Sequence, residues 1–172
     1  MSDYIVESKT RLELRQLAMV LRKKLGLENE LWIPIVELLD VLAEVFSDFS
    51  YEIVEDSELS NGTHGEIDIR TGHIKIRESV YLRASNGEGR DRMTLAHEVG
   101  HYFTICFCGF TLRHNFNHQE VRPFNDPEWQ AKCFAGEFMI PYHLTGDMTA
   151  PVIVEACGVS LEAAEYQHNH RD

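Results

Sequence analysis

The pentapeptide HEVGH at residues 97–101, within the stretch TLAHEVGHYF at 94–103, constrains the fold more than any other feature of the sequence. Histidines four residues apart bring their rings together only in an α-helix, because an extended strand separates them by about 13 Å. An apolar stripe at helical spacing flanks the pair and is formed by Met93, Ala96, Gly100 and Phe103. We therefore predict a helix that presents both imidazoles on one side.

Two imidazoles on one helix face suit a divalent metal. Ring nitrogens bind Zn²⁺ at about 2.0–2.1 Å, and a catalytic zinc site adds a third protein ligand and a water molecule. Glu98 directly follows His97, so its carboxylate can act as a general base on that water rather than as a ligand. Because zinc lowers the pKa of the water to about 7, an ordinary glutamate suffices and Glu98 need not be buried. The motif predicts a zinc hydrolase with His97 and His101 as metal ligands.

The third ligand must come from elsewhere in the chain. The extended pattern HExxHxxGxxH is absent, because Thr104 and Phe107 occupy the places of its glycine and last histidine, which excludes a metzincin. A second helix is predicted over 126–139, because proline favours the first helical turn and Pro141 ends the helix. Glu128 lies in its first turn, in line with an apolar stripe of Ala131, Phe134, Ala135, Phe138 and Met139.

Glu128 is our candidate for the third ligand. A carboxylate in line with a core-facing stripe is costly to bury unless a metal compensates its charge, whereas Glu137 faces roughly the opposite side. Small residues let the two helices approach closely: Gly100, Ala131 and Ala135. Two alternatives stay open. Glu128 is a first-turn acid that only complements the helix dipole, or the third ligand is one of Asp126, Glu120, His114 and His118.

Two further helices are predicted before the motif. The first follows Thr10 and stops near Gly26, with apolar residues at helical spacing and basic residues in its last turn. The second begins at Pro34, and its predicted apolar stripe consists of Val36, Leu39, Ala43 and Phe46. After the second metal-site helix, the tail predicts one or two short helices with Ser160 as an N-cap.

Between the first helices and the motif, the sequence alternates between apolar and polar residues. YEIV at 51–54, and EIDIR and HIKIR on either side of Thr71-Gly72, predict a small antiparallel sheet. A polar loop over 84–90 leads to Asp91, the predicted cap of the HEVGH helix, so this helix is expected directly after the sheet. Residues 106–126 are predicted to be irregular.

Composition narrows the classes of partner. The 172 residues carry a formal net charge of −12, and the pI is near 5.1, which disfavours direct binding to nucleic-acid phosphates. The amino-terminal stretch lacks the apolar core of a secretory signal and no segment reads as a membrane span, so we expect a cytoplasmic protein without a membrane partner. The cysteines form no CxxC pair, and we expect packed thiols rather than a metal site of Cys106, Cys108, His114 and His118.

Two blocks of sequence resemble the ImmA/IrrE family of metallo-endopeptidases. RMTLAHEVGHYF is followed, 27 positions after His101, by EWQAKCFAGEFMIP. The residues that match the family's first block are Arg92, Thr94, Ala96, His97, Glu98, Gly100 and His101. Those that match its second block are Glu128, Ala131, Phe134, Ala135 and Pro141. The resemblance extends more loosely over the amino-terminal helices and the hairpin, and so covers most of the chain.

The resemblance implies roles for the motif residues and a class of substrate. It implies that His97, His101 and Glu128 bind Zn²⁺ and that Glu98 is the catalytic base. It also implies that the protein cleaves a co-encoded helix-turn-helix transcriptional repressor, which relieves repression in phage, mobile-element or stress-response circuits. The alternative is a non-catalytic, zinc-containing binding module that acts as an anti-repressor or as a toxin–antitoxin component.

We accordingly predict an α+β, zincin-like single domain, with helices packed around a small, twisted, mainly antiparallel sheet and the HEVGH helix at the centre. Its expected layout within residues 1–172 is amino-terminal helices over 1–50, the sheet over 51–90, the metal-site helices over 91–141 and short carboxy-terminal helices over 142–172. The hairpin Ile67–Ile76 is the candidate edge for pairing with an extended substrate. A second oxyanion donor is expected among Tyr102, His114, His118, Tyr142 and His143.

Overall fold

The computed structural model describes residues 4–107, 113–114 and 121–170, with residues 4, 113 and 114 described by their backbone alone. Its first helix, α1 (Arg11–Lys24), has the predicted boundaries. The Thr10 side chain accepts a hydrogen bond from the Glu13 amide, and the Glu13 carboxylate accepts one from the Thr10 amide. This reciprocal capping box satisfies two amides that the helix itself leaves unpaired.

The second helix, α2 (Ile35–Val45), starts one residue later than predicted, with Pro34 as its N-cap rather than in its first turn, and a different stripe is buried. Leu39 is buried as expected, whereas Ala43 is exposed. The buried positions are Ile35, Leu38, Leu39 and Leu42. The predicted stripe was wrong because this helix is apolar at most positions, so more than one stripe fits the helical period.

Three strands form a mixed sheet, namely β2 (Ser50–Val54), β3 (Gly65–Asp68) and β4 (His73–Arg77). Their order in the sheet is β2, β4, β3. The predicted hairpin of β3 and β4 is antiparallel, with Ile67 opposite Ile74. β2 runs parallel to β4, so the prediction of a mainly antiparallel sheet was wrong. The connection over 55–64 leads from β2 to β3 on the far side of β4, and β4 then pairs between them. β3 consequently lies at an edge of the sheet.

A helix that the sequence did not suggest, α3 (Glu78–Ser85), separates the sheet from the HEVGH helix, α4 (Gly89–His101). The prediction that Asp91 caps α4 was wrong. Asp91 lies inside the helix and pairs with Arg83 of α3, with Nε and Oδ2 2.9 Å apart. Close packing explains Gly89, since a Cβ atom there would lie 2.4 Å from the carbonyl carbon of Val159.

The region predicted to be irregular contains some regular structure. A π-helical segment, Tyr102–Phe107, continues α4, and a 3₁₀ turn, Pro123–Asn125, precedes the next helix. Strand β5 (Arg113–His114) pairs in antiparallel fashion with β1 (Tyr4–Ile5). Helix α5 (Pro127–Met139) has the predicted boundaries, with Asp126 as its N-cap.

Three short helices follow α5, and the last two lie in the tail where one or two were predicted. They are α6 (Tyr142–Thr145), α7 (Ala150–Cys157) and α8 (Leu161–Asn169). The predicted cap of the last helix is confirmed, because Ser160 Oγ accepts a hydrogen bond from the Ala163 amide. Within the described ranges, no helix combines the length and apolar character needed to cross a bilayer.

Helix α4 lies at the centre of the fold and packs against α2, α3, α5 and β3. The buried apolar core draws on α1, α2, the sheet, α4 and α5. It includes the thiols of Cys133 and Cys157, whose burial raises their pKa to about 12 and about 11. These cysteines are packed as predicted, and the Cys106 thiol donates to the Ile69 carbonyl. The predicted α+β class is confirmed, whereas the CxC partners Cys108 and His118 lie outside the described residues.

Candidate functional site

Three side chains from two helices meet at one point in the structure. His97 and His101 lie one turn apart on α4, and their Nε2 atoms are 3.1 Å apart. Glu128, in the first turn of α5, places Oε2 3.2 Å from His97 Nε2 and Oε1 3.2 Å from His101 Nε2. The structure therefore brings the three predicted ligands together.

The spacing of these donor atoms fits a tetrahedral metal ion. Ligand atoms at about 2.0–2.1 Å from Zn²⁺ lie about 3.3 Å from one another in a tetrahedron, close to the 3.1–3.2 Å between the three donors. Two nitrogen lone pairs and a carboxylate directed at one point favour a cation there. His101 Nδ1 is buried and has no hydrogen-bond partner within the described part of the chain. The tautomer with its proton on Nδ1 leaves Nε2 free to bind metal.

Small residues hold the two helices close enough for this contact. A Cβ atom on Gly100 would lie 2.7 Å from the carbonyl oxygen of Ala131, so only glycine fits at this crossing of α4 and α5. The predicted reason for a glycine within the helix is thereby confirmed. Asp126 Oδ1 accepts a hydrogen bond from the Glu128 amide at 3.0 Å, which fixes the first turn of α5 and occupies Asp126 as a cap.

The remaining candidates for the third ligand are not among the described side chains. Glu120 and His118 lie beyond the described residues, and only the backbone of His114 is described. Among the side chains that the structure places, the group of His, Cys, Asp and Glu residues suited to a metal consists of His97, His101 and Glu128.

The carboxylate of Glu128 is more exposed than predicted. Its side chain is 64% exposed, so the expectation that a metal must compensate a buried charge was wrong. The first turn of α5 opens into a cleft, and the carboxylate reaches the imidazoles from the solvent side. Hydrogen bonds to His101 and His97 hold the pKa of Glu128 well below its usual range.

The imidazole of His97 responds to the same contact. Burial opposes its protonated form, but the hydrogen bond to Glu128 and the negative charges of Glu98 and Glu128 outweigh burial and raise the pKa of His97. The charge of Lys132, on the next turn of α5, opposes this rise. The site is therefore electrostatically prepared for a positive charge.

Glu98 is buried beside the histidines rather than exposed. It is 7% exposed and packs beneath β3, where a Cβ atom on Gly65 would lie 2.8 Å from Glu98 Cγ. Burial raises the pKa of Glu98, and the neighbouring His97 and His101 oppose the rise. From the sequence we expected that Glu98 need not be buried. In the structure β3 buries it, and the HEVGH motif alone does not predict where β3 lies.

The three donor atoms and Glu98 line a cleft of about 1350 Å³. Strands β3 and β4 line it from the sheet, α4 contributes the residues of the motif, and α5 and α8 contribute further side chains. The predicted hairpin provides a strand edge at the cleft, because β3 is the last strand of the sheet and lines the cleft. That an extended substrate pairs with this edge stays a prediction.

The predicted oxyanion donors that are described lie away from this cleft. The hydroxyl of the buried Tyr102 donates to Oδ1 of the exposed Asp48 at 2.7 Å. The Tyr142 ring lies under the Arg15 guanidinium, with 4.6 Å from Cζ to the ring centroid. His143 Nε2 lies 2.9 Å from the Glu28 carbonyl oxygen. The side chains of His114 and His118 are not among those described.

Several polar residues of the cleft were not predicted as site residues from the sequence. They are His64, His73, Lys132 and Tyr166. His64 precedes β3, His73 lies on β4 and Tyr166 lies on α8, and the sequence does not fix how these parts of the chain are oriented. Lys132 carried a usable signal, because it follows Glu128 by four residues on the same predicted helix face.

Comparison with known proteins identifies the family of the chain. Residues 53–168 match the Peptidase_M78 family model, described as the IrrE N-terminal-like domain. The chain belongs to this family. The resemblance to ImmA/IrrE proteins is thereby confirmed, and the match of this IrrE-like domain to a peptidase family supports a metallopeptidase.

A solved structure shares the fold of this IrrE-like domain. It is a Mycobacterium tuberculosis transcriptional regulator, with 13% sequence identity and a TM-score of 0.57. The match covers 90% of this chain and 54% of that protein, so the chain spans about half of its length. At this identity the likeness shows the fold alone. A search of curated protein sequences gives no match.

Proposed function

We propose that this IrrE-like domain is a zinc-dependent endopeptidase. His97, His101 and Glu128 hold the metal, and Glu98 acts as the general base. The observation that carries the proposal is the convergence of three donor atoms within 4.8 Å of one another on the side of a substrate-sized cleft. Membership of a peptidase family supports the same reading.

The chemistry follows from what each residue can do. Zinc bound at this site would polarise the scissile carbonyl and lower the pKa of a water molecule to about 7. Glu98 would accept a proton from that water and pass it to the leaving amine. Its burial suits this task, because a raised pKa lets a carboxylate retain a proton until the amine departs. The free edge of β3 would align the substrate backbone.

The proposed substrate is a transcriptional repressor of the helix-turn-helix type, encoded beside this protein and met in the cytoplasm. Two observations support a link to transcription: the family is IrrE-like, and the structural neighbour is a transcriptional regulator. The net charge of −12 favours action on a protein rather than on DNA. Cleavage of such a repressor would relieve repression.

The general base is tested with Glu98→Gln. The zinc-loaded protein is incubated with the product of the neighbouring gene, and fragments are identified by mass spectrometry. We expect wild type to cut and Glu98→Gln to retain zinc but cut about 10²–10⁴-fold more slowly, because proton transfer is lost. Glu162→Gln, an exposed glutamate of the same cleft, serves as the matched control. A Glu98→Gln variant as active as wild type would remove Glu98 from this role.

The same experiment separates the endopeptidase from its rival. A wild-type protein that binds the repressor tightly yet leaves it intact, with zinc present, supports the non-catalytic binding module. In that case Glu98→Gln would bind the repressor as wild type does, since neither protein uses the carboxylate to cut.

The metal ligands are tested by zinc content. His97→Ala and Glu128→Ala each remove one of three protein ligands, so we expect bound zinc, measured by atomic absorption after dialysis, to fall from about one per chain to near zero. His143→Ala, whose ring contacts a backbone carbonyl away from the cleft, is the control. Unchanged zinc in Glu128→Ala would assign the third ligand to another residue.

A further inference from the structure

The basic side chains of the cleft differ in whether they have partners. Four of them line it: Arg70, Lys75, Arg90 and Lys132. Arg70 pairs with Asp68 at 3.3 Å, and Lys75 pairs with Glu52 at 3.4 Å. Lys132 and Arg90 form no ion pair with any residue that the structure describes. Both side chains are exposed, so each is available to bind a negatively charged group that enters the cleft.

Lys132 is the unpaired cation beside the metal ligands. It lies one turn after Glu128 on α5, which places the two Cβ atoms about 6 Å apart on one helix face. Its Nζ atom lies 5.8 Å from the centroid of the Tyr166 ring on α8. Both carboxylate oxygens of Glu128 face the imidazoles, so the ammonium group has no partner in the site itself. Arg90, by contrast, lies two helical turns before His97.

Other carboxylates line the cleft besides those of the proposed site. They are Glu66 on β3, Glu58 in the loop before it and Glu162 on α8, and Glu66 and Glu162 are exposed. A negative side chain of a bound peptide is attracted by Lys132 and repelled by these carboxylates. Attraction at one point and repulsion at others select one side-chain charge at one position more sharply than attraction alone.

Given the proposed endopeptidase function, we propose that Lys132 is a specificity-determining residue that binds an acidic side chain of the substrate close to the scissile bond. A lysine side chain extends about 6 Å and a strand advances about 3.3 Å per residue. The acidic residue therefore lies one or two positions from the bond that is cut. Tyr166 supports the ammonium group from the α8 side through a cation–π contact.

The first test compares cleavage profiles. A proteome-derived peptide library is digested by zinc-loaded wild type, Lys132→Met, Lys132→Glu and Lys75→Met, and the cut sites are read by mass spectrometry. We expect wild type to favour Asp and Glu over Asn and Gln about tenfold at one position, the scale of a charge-assisted hydrogen bond. Lys132→Met should lose this preference, and Lys132→Glu should favour Lys and Arg instead.

Lys75→Met is the matched control, because Lys75 also lines the cleft but is already paired with Glu52. It should keep the wild-type profile. Two outcomes overturn the proposal: wild type shows no acidic preference, or Lys132→Met slows all cleavage equally and keeps the preference. The second outcome would assign Lys132 to the scissile carbonyl oxygen, as a catalytic residue.

A binding experiment tests the proposal for Lys132 independently of the proposed endopeptidase activity. Fluorescein-labelled peptide pairs, with Glu or Gln at each position in turn, are titrated into zinc-loaded Glu98→Gln and Glu98→Gln/Lys132→Met. The acidic member of one pair should bind about tenfold more tightly to Glu98→Gln, less so at 0.5 M salt, and not in the double variant. If wild type cuts no peptide, the endopeptidase is wrong, and this binding experiment still decides on Lys132. Equal binding of every pair overturns the acidic subsite.

Discussion

The position of the Glu98 carboxylate depends on a glycine in a different element. Gly65 begins β3, and a Cβ atom there would lie 2.8 Å from Cγ and 3.0 Å from Cδ of Glu98. Its backbone is not among the glycines with positive φ, so alanine is compatible with the strand. What the glycine provides is space above the proposed base.

Gly65→Ala should therefore impair the reaction without removing the metal. The added methyl group displaces the Glu98 carboxylate by about 1 Å, and a misplacement of this size costs about 10²-fold in rate. Cleavage of the repressor and zinc content are measured together. Gly146→Ala, where the nearest atom to the new Cβ is 3.3 Å away and outside the cleft, should match wild type. Wild-type activity in Gly65→Ala would show that Glu98 has room to move.

Arg92 shows that a motif residue can serve the fold rather than the site. It matches the first family block, yet it is buried and faces away from the cleft. Its Nε atom donates to the Gly158 carbonyl at 2.8 Å and an Nη2 atom to the Ile33 carbonyl at 2.7 Å. Its guanidinium stacks on the Trp32 ring at 3.9 Å. The arginine thus satisfies one carbonyl at the end of α7 and another in the segment before α2.

The sequence predicted the meeting of His97, His101 and Glu128 but not the surroundings of Glu98. The contact between the two histidines is predicted by the helical period of α4. The position of Glu128 is predicted by the signals that mark the start of α5. Burial of Glu98 depends on where β3 lies, and the position of β3 depends on the strand order, which residues near the motif do not determine. The exposure of Glu128 was predicted wrongly because it, too, depends on how distant parts of the chain pack around the site.

Among elements, helices with strong terminal signals were predicted well. Asp126, Pro127 and Pro141 fixed α5, and Thr10 with Glu13 fixed α1. Helix α3 was not predicted because the glycines just after it indicated a loop over 84–90, and the residues before them carry no strong helix signal. The parallel pairing of β2 with β4 was missed because alternation predicts a strand but not its neighbour.

Three elements are tied together by one buried carboxylate. Glu137 of α5 is 1% exposed and pairs with Arg11 at 2.9 Å and Arg15 at 2.8 Å, both from α1. Arg11 also donates to Gln167 of α8. As predicted, Glu137 faces away from the Glu128 side of the helix.

Glu137→Gln should weaken this junction strongly. Removal of the charge leaves two largely buried guanidinium groups without a carboxylate, which costs about 3–5 kcal/mol when such a pair is broken. The free energy of unfolding is measured by urea titration. Glu52→Gln is the matched control, because Glu52 also has two basic partners, His73 and Lys75, but is 48% exposed. It should stay close to wild type, and equal losses in the two variants would contradict this account.

At the scale of the whole molecule, the metal site lies at the rim of the core rather than within it. Glu128 is exposed, and His97 is only partly buried. The core itself joins α1, α2, the sheet, α4 and α5 through side chains that do not touch the site, among them Leu14, Leu39 and Ile74. A chain of 172 residues buries enough apolar surface to fold without a metal, unlike domains below about 40 residues.

Removal of zinc should therefore lower stability without unfolding the protein. Zinc at 100 times its dissociation constant contributes about 2.7 kcal/mol, which for a chain of this size raises the melting temperature by about 5–10 °C. Calorimetry with and without chelator should show this shift, with helical circular dichroism unchanged at 25 °C. His97→Ala should melt at one temperature in both buffers, because it has no metal to lose. Loss of a cooperative transition in the metal-free wild type would instead make the metal a requirement of the fold, as in zinc fingers.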